Sequence, residues 1–262
     1  MPTSPVTNPE IDAVFGDGPS AVERAAPAAT MTAEWARLRT FLRRPTLSVN
    51  EQNGDPVLVL SRIYALDMLV MFALVSVAIT LEVSGVDLPD NVFEDLSWTP
   101  GLVLLIIVGA PVFEELIFRA WLPGRASHLM LLSGGIAAFA LVSYSQTATN
   151  PSNLTAAYGF GMILLALVAA VVLRKRPAPE SYVRWFPVFF WLSSIAFALV
   201  HLSNYDPELA TIALPLVLPQ FVLGMLLGYV RVRIGLWAAM ALHAAHNASL
   251  LALSGLLILL FG

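Results

Sequence analysis

TPGLVLLIIVGAPVFEELIFRAWLPG, residues 99–124, decides how the chain is read. Its apolar run exceeds the ~20 residues that a helix needs to cross a bilayer, yet the second half carries Glu114, Glu115 and Arg119. A charge at bilayer depth costs about 3 kcal/mol or more unless it is paired, so these residues need a reason. Glu115 and Arg119 are four apart with the acid first, which puts them on one helix face in the favourable order. Glu114 is left over as a candidate general base or acid. The same three groups could instead form a buried ion-pair network tying helices together. Both readings fit this stretch taken alone.

Composition fixes the solvent. Hydrophobic residues make up 58% of the 262 and charged residues 12%, with a mean hydropathy of +0.76. These values mark a multi-pass membrane protein. Working outward from 99–124, apolar runs at 63–84, 100–123, 129–147, 153–173, 186–205, 209–230 and 234–261 predict an all-α, polytopic transmembrane helix bundle of about seven spans. Lysine and arginine fall in alternate connections: Arg37 to Arg62 before the first span, Arg125 after the second, Arg174 to Arg184 after the fourth, Arg231 and Arg233 after the sixth. The positive-inside rule then puts the N-terminus in the cytoplasm and the C-terminus outside, in the cell membrane. Trp98, Trp121, Trp185 and Trp237 fall near predicted helix ends, as interfacial tryptophans do.

Residues 1–55 differ from the rest, being rich in Pro, Ala, Thr and Asp, and are expected to form a disordered cytoplasmic tail without a signal peptide. Within it, 31–44 spaces Trp35, Leu38, Phe41 and Leu42 helically among arginines, which suits an amphipathic helix on an anionic membrane surface or a solvated linker helix. Residues 56–262 form the transmembrane domain. Asp67 and Glu82 are expected at the interfacial ends of the first span. No basic patch with interleaved aromatics points to nucleic acid.

Two further spans carry polar groups. FALVH (197–201) sets Phe197 and His201 four apart, and HAAHN (243–247) does the same for His243 and Asn247. Three of the chain's four histidines therefore lie inside predicted spans. One such histidine is commonly a satisfied structural group; two histidines, an asparagine and a carboxylate together suggest a site. Cysteine is absent, which removes thiolate chemistry and leaves His, Asp, Glu or Asn as the ligands of any metal.

EELIFR (114–119), FALVH and HAAHN, in this order on separate spans, resemble the EExxxR, FxxxH and HxxxN motifs of the CAAX prenyl protease and bacteriocin-processing family, also called Abi or type II CAAX endopeptidases. The resemblance covers about residues 100 to 250. It implies an intramembrane endopeptidase acting on a membrane-associated polypeptide. Glu114 and His201 would activate a water, His243 and Asn247 would stabilise the oxyanion, and Glu115, Arg119 and Phe197 would organise the site. The family's usual description as metalloproteases adds a divalent metal, zinc, which Glu114, His201 and His243 would hold; the sequence itself leaves the metal open. Relative to the family pattern, the third and fourth spans intervene between the first and second motifs as an extra hairpin.

The chemistry agrees in kind. Hydrolysis without a Ser or Cys nucleophile requires an activated water, a base for its proton and donors aimed at the oxyanion. Helical rise places Glu114 and His243 roughly 15 Å from the arginine-rich ends of their spans but His201 roughly 25 Å from Arg184. These depths predict a site that opens at the arginine-rich end and a fifth span that begins early, tilts or bends, with Pro187 as a start or kink. His246 is expected as a substitute ligand. The rival reading is a non-catalytic membrane protein, a transporter or a bacteriocin-immunity binder, using the same buried polar network.

Overall fold

The computed structural model describes residues 30–47, 55–91, 97–147 and 153–261. The expectation of disorder in the tail falls largely on residues 1–29 and 48–54, outside this set. The described residues are all-helical, with 83% of them in helix. In chain order the helices are α1 (Met31–Arg43), α2 (Pro56–Val83), α3 (Pro100–Phe118), α4 (Ala126–Thr147), α5 (Asn153–Val172), α6 (Glu180–Val200), α7 (Leu218–Arg233) and α8 (Leu236–Phe261).

Local chemistry sets the starts. Thr30, Asp55 and Thr99 cap α1, α2 and α3, each accepting a hydrogen bond from a backbone N–H of the first turn, and proline follows directly in the last two. Five helical segments, Pro56–Val83, Pro100–Phe118, Glu180–Asn204, Pro207–Arg233 and Leu236–Leu256, are long and apolar enough to cross a membrane; Ala126–Leu141 and Tyr158–Val172 are shorter apolar helices. Together they give the expected multi-pass bundle of about seven apolar helices. The first span begins at Pro56 rather than 63, and the second stops at Phe118 in a turn instead of running to 123.

The core is formed by α2, α6, α7 and α8, with α3 against α8. Large apolar side chains fill it, among them Ile63, Phe190, Phe197, Leu227 and Leu242. Helices α4 and α5 pack chiefly on each other, where Gly134 lets the two backbones approach: a Cβ there would lie 2.2 Å from that of Ala166. Their outward Ile136, Phe139, Leu165 and Val172 remain exposed, as side chains facing lipid would be. Helix α1 docks onto the bundle. Trp35 Nε1 donates to the Arg62 carbonyl at 3.0 Å, Phe41 meets Phe190 and Tyr229 edge-on, and fully buried Glu34 accepts from Tyr229 Oη at 2.7 Å and pairs with Arg233 at 3.3 Å.

Helix α3 is irregular where it matters. Residues Leu105–Gly109 form a π-helical turn in which the Ala110 N–H bonds the Leu105 carbonyl. The next carbonyl in that register, Ile106, would need an N–H from Pro111, which has none. Asn247 Nδ2 on α8 donates to it instead, at 2.8 Å.

Candidate active site

Glu115 and Arg119, spaced for one helix face, form a wholly buried ion pair at 3.1 Å. Arg119 also lies 3.9 Å from the centre of the Phe197 ring, and its Nη2 donates to the Gly224 carbonyl at 3.4 Å. Gly224 is small for this reason: a Cβ would sit 3.2 Å from Phe197 and 3.3 Å from the guanidinium. Phe197 is thus a platform for the cation. The turn after α3 is held by Arg231, which donates to the Arg119 and Ala120 carbonyls at 2.8 and 3.0 Å, and by Ser193, which donates to the Phe118 carbonyl at 2.7 Å.

Glu115 Oε1 also accepts from His243 Nδ1 at 3.1 Å. Because the carboxylate is paired with Arg119, it can only accept, so the His243 proton sits on Nδ1 and Nε2 is turned toward Glu114. Similarly, His201 Nδ1 donates to the Phe197 carbonyl at 2.7 Å, leaving Nε2 toward the same carboxylate. Glu114 Oε2 lies 3.9 Å from His201 Nε2 and 3.8 Å from His243 Nε2, and it is buried without a hydrogen-bond partner. The Glu114 carboxylate and the two Nε2 atoms face one space, close enough together for one water, seated to the side, to bridge two of them.

A cavity of about 460 Å³ contains this space, lined by Glu114, His201, His243, His246 and Asn247. The early start required of the fifth span is met by α6, which begins at Glu180 with Pro187 inside it; His201 follows its last turn in a 3₁₀ segment, His201–Asn204. The opening differs from the depth count. The cavity runs from Glu114 past Ile106 to Asn91, Trp98, Asn204 and Ser254, the end of the bundle whose connections carry no lysine or arginine. Counting along single helices misplaced it because the loops after α2 and α6 fold back toward the site.

One residue takes another position than expected. Asp67 is not interfacial but fully buried, and His246 Nδ1 donates to its Oδ2 at 2.8 Å. His246 Nδ1 is therefore committed to α2, while its Nε2 stays on the cavity side. The contribution of the first span escaped the motif reading; the signal was an ionisable residue inside a span, which is a functional hypothesis by default. Two imidazole nitrogens and a carboxylate are donors zinc accepts, but tetrahedral coordination at ~2.0–2.1 Å sets donors only about 3.3–3.4 Å apart. Among the described residues no group of three His, Asp or Glu side chains is placed to hold a metal ion. As placed, Glu114, His201 and His243 do not fit one.

In comparison with known families, the model described as Type II CAAX prenyl endopeptidase Rce1-like matches residues 96–249, from just before α3 to beyond Asn247. Neither curated proteins nor solved structures give a match.

Proposed function

Because the chain belongs to the Rce1-like type II CAAX prenyl endopeptidase family, we propose that it hydrolyses a peptide bond of a membrane-associated polypeptide with a water activated by Glu114 and His201. Membership implies protease activity, a polypeptide substrate and a bilayer around the helices. The specific mechanism is supported by one observation: Glu114 Oε2, unpartnered and buried, faces the Nε2 atoms of His201 and His243 at 3.9 and 3.8 Å within one cavity.

In the proposed reaction a water between these groups donates one proton to Glu114 and is oriented by His201 Nε2. Its oxygen attacks the scissile carbonyl as Glu114 takes the proton. Asn247 spends one amide N–H on the Ile106 carbonyl and keeps the second for the oxyanion. His243, whose Nδ1–H is held by Glu115, donates to the oxyanion from Nε2 after Glu114 passes it the proton taken from water, and returns that proton to Glu114 as the intermediate collapses. Glu115 and Arg119 act through His243 and touch no substrate.

Cleavage in ¹⁸O-labelled water by purified protein in proteoliposomes tests the reading. Each new C-terminal carboxylate should carry one ¹⁸O, and the rate should be unchanged by a chelator, since no step here passes through a metal. Cleavage abolished by chelator and restored by zinc would overturn the metal-free mechanism. Polypeptide bound but never cut would favour the non-catalytic reading.

A further inference from the structure

The proposed hydrolysis leaves one proton unassigned: the amine released from a peptide bond is too basic to depart as an anion and must be protonated as the C–N bond breaks. Glu114 faces the attacking water, on one side of the carbonyl. A second acid–base group stands in the same cavity. His246 lines it one helical turn after His243, and its Nδ1–H is held by Asp67 Oδ2 at 2.8 Å from α2. Both side chains are buried. With Nδ1 committed, Nε2 is the ring atom left to face the cavity, and it makes no hydrogen bond among the described residues.

We propose that Asp67 and His246 form a general-acid pair, in which His246 Nε2 protonates the leaving amine and Asp67 positions the ring and balances its charge. This rests on the hydrolase reading and adds a residue from α2, which lies outside the family match at 96–249. A role as a mere staple between α2 and α8 does not require an ionisable pair. Tyr64 and Ser249, one turn away on each helix, already join these helices through a 2.6 Å hydroxyl–hydroxyl bond. Asp67 Oδ1 is moreover buried without a partner, a cost that the single hydroxyl of a Thr in a purely structural contact would avoid. The other charged or titratable groups lining this cavity are Glu114 from α3, His201 after α6 and His243 from α8.

The step balances. Water gives its proton to Glu114 and its hydroxide to the carbonyl carbon. As the C–N bond breaks, His246 gives the Nε2 proton to nitrogen, releasing a neutral amine and leaving neutral imidazole. Glu114 then returns its proton to His246 through cavity water, and the net reaction is water plus amide giving acid plus amine.

Leaving-group dependence provides the test. Two substrates of one sequence are compared in proteoliposomes, one with a scissile amide and one with an activated phenolic ester whose leaving group departs as phenolate without a proton. His246→Gln should lower amide hydrolysis about 10²-fold or more while changing ester hydrolysis less than about threefold. Asp67→Asn should lower the amide rate in the same selective way; if His246→Gln fails to fold, this comparison decides. Equal losses on both substrates, or no loss on the amide, would overturn the pair's role. Glu114→Gln must abolish both hydrolyses; if it does not, the water mechanism fails independently of His246.

Discussion

Glu115 shows how one buried oxygen can set the chemistry of two neighbours. Its Oε1 accepts from Arg119 and from His243, both at 3.1 Å, so the pair that neutralises its charge also fixes the His243 tautomer. Removing Arg119 strands that carboxylate in the core. Arg119→Ala should therefore destabilise the protein by about 3–5 kcal/mol, seen as a lower unfolding midpoint in detergent and a lower folded yield. Asn247→Ala removes the proposed oxyanion donor and should reduce turnover about 10²–10³-fold; unchanged turnover would take Asn247 out of the site. The residue pattern was legible to this extent: the four-residue spacings of Glu115 with Arg119, and of His243 with Asn247, put side chains where helical geometry says. Asp67 was not legible, because nothing near it in sequence names a partner 179 residues away.

Among the elements, α3 links sequence to site through Pro111. This proline withholds the N–H that the Ile106 carbonyl would use in the π-helical turn, and that carbonyl anchors Asn247. Pro111→Ala supplies a donor and lets the helix close on itself. The expected outcome is a fold at least as stable and a turnover lowered by the loss of Asn247's anchor, measured as kcat beside the unfolding midpoint. Loss of stability with unchanged kcat would contradict this. The apolar run LLIIVGA gave no sign of the π turn, since its side chains are equally content in either helical register. The start of α6 was legible only as a set of options, because the depth count allowed an early beginning, a tilt or a bend and Pro187 fits a start or a kink; the helix runs through it from Glu180.

At the scale of the molecule, the two ends of the bundle differ in chemistry. One carries α1 and the basic connections, latched by Glu34 to Tyr229 and Arg233; the other has loops without lysine or arginine, and the cavity reaches it at Asn91 and Asn204. The positive-inside rule predicts, for this arrangement, a mouth on the non-cytoplasmic side. The chain has no cysteine, so single-cysteine labelling reads the answer directly. Asn204→Cys should react with an impermeant maleimide from outside intact cells, and Arg174→Cys only after permeabilisation; the reverse pattern would invert the molecule and put the mouth in the cytoplasm. The number of apolar helices could be read from run length, since every backbone group must be satisfied within the bilayer. The mouth could not, because it depends on how loops fold back over helices.

The most direct test of the account is turnover by Glu114→Gln. The substitution keeps the size of the side chain and removes only its capacity to take a proton, while the neighbouring Glu115–Arg119 pair stays intact. Reconstituted wild-type protein and variant are compared for cleavage of a membrane-associated polypeptide, with the unfolding midpoint recorded for both. The account predicts an unchanged midpoint and a rate at least about 10²–10⁴-fold lower. A folded variant that cleaves at the wild-type rate would contradict it.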